Sequence, residues 1–166
     1  MPTEIQAPTY RLTWDEFHRD TRALAQRLLA SGKSWRGIVG IARGGLIPAA
    51  IIARELNIRL IETLCIASYD HDKQGSVQIL KTVAGDGRDL LLIDDLVDTG
   101  ITANIARELL PQATMAAIYA KPAGMASAEY WQREFAQDTW IHFPWDCEYR
   151  NSGYHYAEPL HRQREK

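Results

Sequence analysis

Short apolar runs alternate with helical patterns along this chain, and this alternation limits the folds it can adopt. The runs have the length and composition of buried strands and cover residues 37–42, 59–67, 89–94 and 114–120. The helical patterns fall between them, at residues 13–31, 46–56 and 98–110. Such alternation indicates an α/β fold with a largely parallel central sheet flanked by helices. The 166 residues are enough for one core, so residues 1–166 are predicted to form a single domain.

The first helical pattern carries its own start signal. Thr13 and Glu16 have the spacing of a capping box, in which each side chain bonds the backbone N–H of the other residue. The side chains of one helix face then recur every three or four residues, at Trp14, Phe17, Thr21, Leu24 and Leu28. The sequence therefore predicts a helix that begins at Thr13, buries one face and ends at Ser31-Gly32.

Charge and composition argue against several classes of protein. The formal net charge is -2 and no basic stretch dominates, so binding to nucleic acid is not expected. The apolar runs are far shorter than the ~20 residues of an integral membrane segment, and residues 1–10 lack the apolar core of a secretory signal. Cys65 and Cys147 form no C-x-x-C pair, which favours a reducing, cytoplasmic location without disulfides.

The segment 90–102 is the most informative about function. An apolar strand runs into Asp94 and Asp95, and a short hydrophobic step leads to Asp98 and a helix start rich in small residues. Ligands of open α/β sheets bind at the carboxyl ends of strands, and a helix N-terminus there attracts phosphate. Neither the P-loop nor the Gly-x-Gly-x-x-Gly pattern is present. The plainer interpretation is that Asp98 and Thr99 cap a helix and that the paired acids form a solvated strand end.

Residues 93–102 resemble the signature of the type I phosphoribosyltransferases, in which a hydrophobic strand and two acids precede Asp-Thr-Gly-x-Thr. Further segments resemble the bacterial xanthine-guanine phosphoribosyltransferases of that family, in order, at residues 42–48, 53–56, 68–72, 120–124 and 138–141. The similarity covers roughly Leu12 to Asp146. It implies the type I fold, with a small hood subdomain. It also implies an enzyme of purine salvage that joins guanine or xanthine, and more weakly hypoxanthine, to the ribose of phosphoribosyl pyrophosphate (PRPP).

The resemblance assigns residues to the parts of PRPP. Asp94 and Asp95 would hold the ribose hydroxyls and Mg²⁺, with Asp95 as the metal ligand; carboxylate oxygens are suitable ligands for this ion. Arg43 and Gly44 would bind pyrophosphate, at a turn that in the family can carry a non-proline cis peptide. The plainer interpretation of this pair is a glycine turn with a surface arginine. The 5′-phosphate would lie in the loop made by Asp98, Thr99, Gly100, Ile101 and Thr102.

The resemblance also assigns residues to the purine base. Asp98 would be the catalytic residue and accept the proton from N7. Lys121 would donate to the oxygen at position 6 and thereby reject adenine. Trp140 would stack on the base, and Ile141 would offer backbone groups to the substituent at position 2. The plainer interpretations are a surface lysine for Lys121 and a core aromatic for Trp140.

Other segments bear on the site less directly. Residues 68–81 are polar and without a clear period, and by resemblance they form a mobile lid; a connection of no consequence is the alternative. The tail, residues 147–166, diverges from the family.

Three single residues also depart from the family pattern. Ile101 stands where the family has a glycine and must face away from the phosphate. Gly75 replaces an arginine that reaches PRPP, and His142 replaces an acid near the base. The order of preference among guanine, xanthine and hypoxanthine is therefore open.

Assembly, location and function class follow from the same resemblance. It implies a homodimer or homotetramer in the cytoplasm, peripheral at the inner membrane. The alternative function is a regulatory protein on the same fold that senses PRPP or nucleotides. The short N-terminal extension argues against the DNA-binding domain of such a regulator, and the net charge of -2 argues against a basic face that binds RNA. A pyrimidine or amidotransferase-linked transferase would leave the match at residues 121–124 unexplained.

Overall fold

A computed structural model of the chain describes residues 7–68, 77–150 and 153–162. Its strands are β1 (Thr9–Arg11), β2 (Gly37–Ala42), β3 (Leu60–Ser68), β4 (Val77–Lys81), β5 (Leu90–Val97), β6 (Thr114–Ala120), β7 (Tyr130–Glu134), β8 (Trp140–His142), β9 (Cys147–Arg150) and β10 (Gly153–Tyr156). Its α-helices are α1 (Trp14–Ala30), α2 (Leu46–Glu55) and α3 (Ile101–Leu109). Short 3₁₀ turns cover Met125–Ser127 and Pro144–Asp146.

The central sheet has six strands in the order β4-β3-β2-β5-β6-β7. Neighbouring strands run parallel, except that β4 pairs antiparallel with β3. β2, β5 and β6 are buried along almost their whole length. This is what uniformly apolar runs predict for strands that are covered on both faces. The predicted α/β fold with a mostly parallel sheet flanked by helices is confirmed.

Small side chains let two helices pack closely on the sheet. Ala103 and Ala106 of α3 are buried in the hydrophobic core together with Val39, Leu92 and Met115 of the strands. Ala49 of α2 packs against the backbone of β2 at Gly40. A Cβ added to this glycine would lie 3.3 Å from the Cβ of Ala49, so there is little room for a side chain between helix and strand. Because α2 begins at Leu46, shortly after β2 ends, and α3 begins at Ile101, shortly after β5 ends, both helices start close to the carboxyl ends of these strands.

The predicted start signal of α1 is confirmed. The backbone N–H of Glu16 donates to Oγ1 of Thr13 at 3.1 Å, and the backbone N–H of Thr13 donates to Oε2 of Glu16 at 3.2 Å. The predicted inner face is also confirmed at Phe17, Thr21, Leu24 and Leu28, which are fully buried. The prediction is wrong for Trp14 in the first turn, which is 44% exposed and whose ring lies 6.1 Å from that of Trp145. The helix thus begins where the capping box places it.

The chain divides into two compact units, residues 20–137 with the central sheet and residues 1–19 together with 138–166. Within the smaller unit, β1 pairs parallel with β8, and β9 and β10 form an antiparallel hairpin. The rings of Phe143 and Trp145 stack there at 4.7 Å, with Phe17 edge-on to Trp145 at 5.1 Å. The single domain over the whole chain, the hood subdomain and the start of a divergent tail at residue 147 remain predictions.

The predicted loop at residues 68–81 needs correction at both ends. β3 continues through Ser68, and Val77–Lys81 form β4 at the edge of the sheet. All five residues of β4 are exposed, so the strand lacks the buried apolar face that makes a strand visible in a sequence. Residues 69–76, and with them Gly75 and the predicted lid, lie outside the described residues.

None of the helices in the described ranges is long and apolar enough to cross a membrane. Cys65 and Cys147 are both free thiols and both partly buried.

Candidate functional site

Polar side chains meet where three neighbouring strands of the sheet end. Arg43 follows β2, and Lys121 follows β6. Asp98 follows β5, whose last residue Val97 pairs with Ala120 at the end of β6. Asp98 and Lys121 therefore leave the sheet side by side. Because parallel neighbours end at the same edge, these residues lie where open α/β sheets bind ligands.

The paired acids lie inside β5, because the strand continues to Val97. Successive side chains of a strand point to opposite faces, so Asp94 and Asp95 have different surroundings. Asp94 is only 8% exposed, and its Oδ1 accepts the backbone N–H of Asp95 at 2.9 Å. Burial first, and the charge of Asp95 second, raise the pKa of Asp94 well above its usual value. The interpretation of the pair as a solvated strand end is therefore wrong for Asp94.

The substitution Asp94→Asn is expected to stabilise the fold at neutral pH, by roughly 0.5–2 kcal/mol. Asparagine keeps an oxygen that can accept from Asp95 and is neutral at every pH, so folding neither buries a charge nor requires uptake of a proton at this position. Because the pKa of Asp94 is raised in the folded protein, the folded chain binds a proton that the unfolded chain has lost. Wild-type stability therefore falls as pH rises through that window, and the advantage of the variant grows.

Urea unfolding at several pH values measures this difference. The advantage should shrink in acid, where Asp94 is protonated in both states. Glu108→Gln, which removes one negative charge from the exposed side of α3, serves as the control. Equal stability of the wild type and Asp94→Asn at pH 7 would contradict the assignment of an unfavourable buried charge.

The turn after β2 brings a glycine against the second acid. The Ala42–Arg43 peptide bond is cis, within the turn where the resemblance implies such a bond. A Cβ added at Gly44 would lie 2.1 Å from Oδ2 of Asp95, so the carboxylate of Asp95 rests directly on the glycine backbone. Arg43 is exposed at the same turn. The structure thus brings Arg43, Gly44 and Asp95 to one place.

The loop that opens α3 has the features of an anion site. Gly100 is the N-cap of α3, and its φ of +86° lies in the left-handed region that favours glycine. Across the described residues, no side chain forms a hydrogen bond that caps this helix, so the interpretation of Asp98 and Thr99 as caps is wrong. The N–H groups of the first turn therefore remain available to an anion.

A cavity of about 100 Å³ lies against this loop. It is well below the ~300–1,000 Å³ of pockets that hold whole small molecules, so it suits a group of the size of a phosphate. Ile101 is 58% exposed and also borders the cavity, so the orientation of its side chain away from the anion remains a prediction. The cavity is lined by Asp94, Leu96, Val97, Asp98, Thr99, Gly100, Ile101, Thr102 and Ala103.

Lys121 and Asp98 form an ion pair. The ammonium Nζ of Lys121 donates to Oδ2 of Asp98 at 2.9 Å. The lysine side chain is only 6% exposed, whereas that of Asp98 is 47% exposed. A buried ammonium needs such a partner, because desolvation of an unpaired charge is costly. The interpretation of Lys121 as an ordinary surface lysine is therefore wrong.

Sequence reasoning missed Gln137 as a member of this site. Its Nε2 donates to Oδ1 of Asp98 at 2.8 Å, and its Oε1 accepts the backbone N–H of Ala123 at 2.9 Å. The only available signal was its position directly before the matched segment 138–141. A lone glutamine before a strand is otherwise typical of a solvated residue, so the pattern gave no reason to select it.

Trp140 and Ile141 belong to the smaller unit, on β8 beside β1. Trp140 is 64% exposed, so it is not a core aromatic, and its ring is open to a stacking partner. Ile141 is 7% exposed, which leaves its backbone rather than its side chain for recognition. The ring of His142 packs 5.3 Å from that of Tyr156. The roles of Trp140 and Ile141 at a purine base remain predictions.

Curated proteins of high similarity are transferases. The xanthine-guanine phosphoribosyltransferase of Chromohalobacter salexigens is 51% identical over 151 residues, which cover 91% of this chain and 89% of that protein. The enzyme of the same name from Nitratidesulfovibrio vulgaris is 52% identical over 155 residues, or 93% of this chain and 91% of that protein.

Solved structures agree in fold. The purine phosphoribosyltransferase of Pyrococcus horikoshii superposes with a TM-score of 0.72 at 28% identity, over 82% of this chain and 93% of that chain. The phosphoribosyl transferase domain family itself matches residues 12–152, a range that contains the whole sheet edge described above. The strand-end acids, the glycine turn and the ion pair are thus parts of a shared domain, and the chain belongs to the phosphoribosyl transferase domain family.

Proposed function

We propose that this protein is an enzyme of purine salvage that transfers the phosphoribosyl group of PRPP to guanine or xanthine, and more weakly to hypoxanthine. The products are the nucleoside 5′-monophosphate and pyrophosphate. One observation carries the proposal: the ion pair of Asp98 and Lys121 lies at the same sheet edge as a phosphate-sized cavity and two carboxylates. Both curated relatives are named for this activity, which favours it over the sensing of nucleotides.

The reaction needs a proton acceptor next to the base. The C–O bond between the ribose C1 and pyrophosphate breaks, and a purine nitrogen forms the new C–N bond. The base meanwhile gives up the proton on N7, and the Asp98 carboxylate is the group proposed to take it. Its Oδ2 is beside the Lys121 ammonium, so an oxygen at purine position 6 and the N–H at position 7 would meet a donor and an acceptor held together.

The phosphate groups of PRPP are assigned to two turns whose backbone N–H groups can bind them. The N-terminus of α3, from Asp98 to Thr102, would hold the 5′-phosphate through its N–H groups and dipole. Arg43 and Gly44 would hold the pyrophosphate, the arginine by charge and the glycine by letting the backbone come close.

The purine base is assigned to two further residues. Trp140 would stack on the purine, and backbone groups of Ile141 would contact the substituent at position 2.

A magnesium ion fits the acids of β5. Within residues 7–68, 77–150 and 153–162, no cluster of three or more His, Cys, Asp or Glu side chains could hold a metal by itself. Mg²⁺ often uses only one or two carboxylates together with substrate oxygens. Burial first, and the charge of Asp95 second, raise the pKa of Asp94, and a cation beside these acids would favour their ionised forms. Asp95 is the proposed ligand, and the ion would offset negative charge on the pyrophosphate.

Removal of magnesium is expected to abolish transfer, and Asp95→Ala is expected to weaken productive binding of PRPP. The alanine lacks the carboxylate that rests on Gly44 and is proposed to reach the metal. The measurement is the KM for PRPP in a magnesium titration, with Glu108→Ala on the exposed face of α3 as control. Full activity in excess chelator would disprove the metal requirement.

A product assay tests the proposal as a whole. PRPP and magnesium are supplied with guanine, xanthine, hypoxanthine or adenine in turn, and the nucleotide formed is identified by mass.

The free thiols of Cys65 and Cys147 support the proposed cytoplasmic location, because thiols persist in a reducing compartment. Assembly as a homodimer or homotetramer, and association with the inner membrane, remain predictions of the resemblance.

A further inference from the structure

Gln137 bridges two parts of the site that belong to different strand ends. Its Nε2 donates to Oδ1 of Asp98 at 2.8 Å, after β5. Its Oε1 accepts the backbone N–H of Ala123 at 2.9 Å, in the turn that follows β6. One donor and one acceptor are each matched to an opposite partner, and this fixes which way the amide points. The side chain therefore links the proposed proton acceptor to the turn that carries Lys121.

The Asp98 carboxylate is held at both of its oxygens. Lys121 donates to Oδ2 at 2.9 Å, while Gln137 donates to Oδ1. A carboxylate with a single partner can rotate about its Cβ–Cγ bond, since that torsion is broad. A second donor on the other oxygen restricts this rotation. The orientation of Asp98 toward a bound base thus depends on Gln137 as well as on the ion pair.

The turn after β6 is itself well anchored. The backbone N–H of Lys121 donates to the carbonyl of Val97 at 2.9 Å, and the N–H of Gly124 donates to the carbonyl of Lys121 at 2.9 Å. A Cβ added at Gly124 would lie 2.5 Å from the carbonyl oxygen of Val97, so the turn packs directly on the end of β5. Gln137 is therefore tied, through Ala123, to a rigid support.

We propose that Gln137 is a positioning residue for Asp98, holding the carboxylate in the orientation that accepts the proton of the base. This inference rests on the proposed function, in which Asp98 is the proton acceptor. It concerns only the geometry of the carboxylate, so it predicts an effect on the chemical step and none on the binding of PRPP.

The test substitution is Gln137→Glu. It keeps an oxygen that accepts from Ala123 but replaces the donor to Asp98 with a second carboxylate oxygen. The expected result is a fall in kcat with guanine of roughly 10-fold to 100-fold, the size associated with a hydrogen bond to a charged group. The KM for PRPP should stay within about twofold, because binding of the ground state is not changed.

A second variant and a control separate positioning from folding. Gln137→Met has a similar size and forms neither hydrogen bond, so it should lower kcat as well. Gln112→Glu makes the same change at an exposed glutamine just before β6, at the opposite end of that strand from Lys121, and should leave kcat unchanged. Thermal unfolding of all three variants should give midpoints close to that of the wild type.

Two results would overturn the inference. One is that Gln137→Glu has the kcat and the KM for guanine of the wild type. The other is that Gln137→Glu keeps its kcat but has a higher KM for guanine, which would identify Gln137 as a ligand of the base. If either is found while Asp98→Asn is impaired, only the role of Gln137 is lost. If Asp98→Asn keeps full kcat, the proton acceptor of the proposed function and this inference fall together.

Discussion

Adenine is expected to react with a kcat/KM about 10⁴-fold below that of guanine or xanthine. The reason is the buried ammonium of Lys121, whose side chain is 6% exposed and held beside Asp98. Guanine, xanthine and hypoxanthine present an oxygen at position 6, which accepts from this donor. Adenine presents an amino group there, so donor would face donor and both groups would lose partners on desolvation. Sites built on such hydrogen bonds discriminate strongly.

Replacement of the lysine tests this explanation. Lys121→Met should lower kcat/KM for every 6-oxopurine while barely changing the rate with adenine. The selectivity against adenine is then lost because the 6-oxopurines react more slowly, not because adenine reacts faster. Lys33→Met, at an exposed lysine, is the matched control. Comparable wild-type kcat/KM for adenine and guanine would remove Lys121 from the base site. The order among the 6-oxopurines stays open, because His142 replaces the acid that the resemblance implies.

Asp98→Asn is expected to lower kcat by about 10²-fold or more with little change in the KM for PRPP. The variant has the shape of the wild-type residue and lacks a group that can accept the proton. Its single carbonyl oxygen can still accept from Lys121, but its amide group would then face the amide of Gln137, donor against donor. The loss should therefore appear in the chemical step.

Steady-state kinetics with guanine check this outcome. Asp86→Asn is a suitable control, since the Asp86 side chain accepts the backbone N–H of Arg88 through an oxygen that asparagine retains. An unchanged kcat in Asp98→Asn would reject the role of proton acceptor. A large rise in the KM for PRPP at constant kcat would instead assign the residue to substrate binding.

The buried part of the fold could be predicted from sequence, and the exposed part could not. β2, β5 and β6 are uniformly apolar because both faces of the sheet are covered, and this leaves a clear pattern. β4 is exposed throughout and β7 is only half-buried, so neither run has the apolar face that marks a strand. Their place at the two edges of the sheet is set by pairing, which a local pattern does not record.

In the site, residues within short matched segments could be predicted, whereas contacts that arise only on folding could not. Asp98 and Lys121 were found by resemblance of short segments, and the structure pairs them because Val97 and Ala120 are in register. Gln137 was missed because its two contacts come from folding, with partners far away along the chain. The burial of Asp94 was also missed, since the strand could not be seen to continue past two acids.

The order of the strands has a consequence for how activity is acquired. β2 meets β5 only after the chain has passed through β3 and β4, and β6 joins β5 after α3. Such non-local parallel pairings are slow to form, because chain entropy must be lost before they contribute stability. Arg43, Asp98 and Lys121 share one edge only once these pairings exist. Recovery of activity during refolding is therefore a late event, and it reports on closure of the whole sheet rather than on formation of its helices.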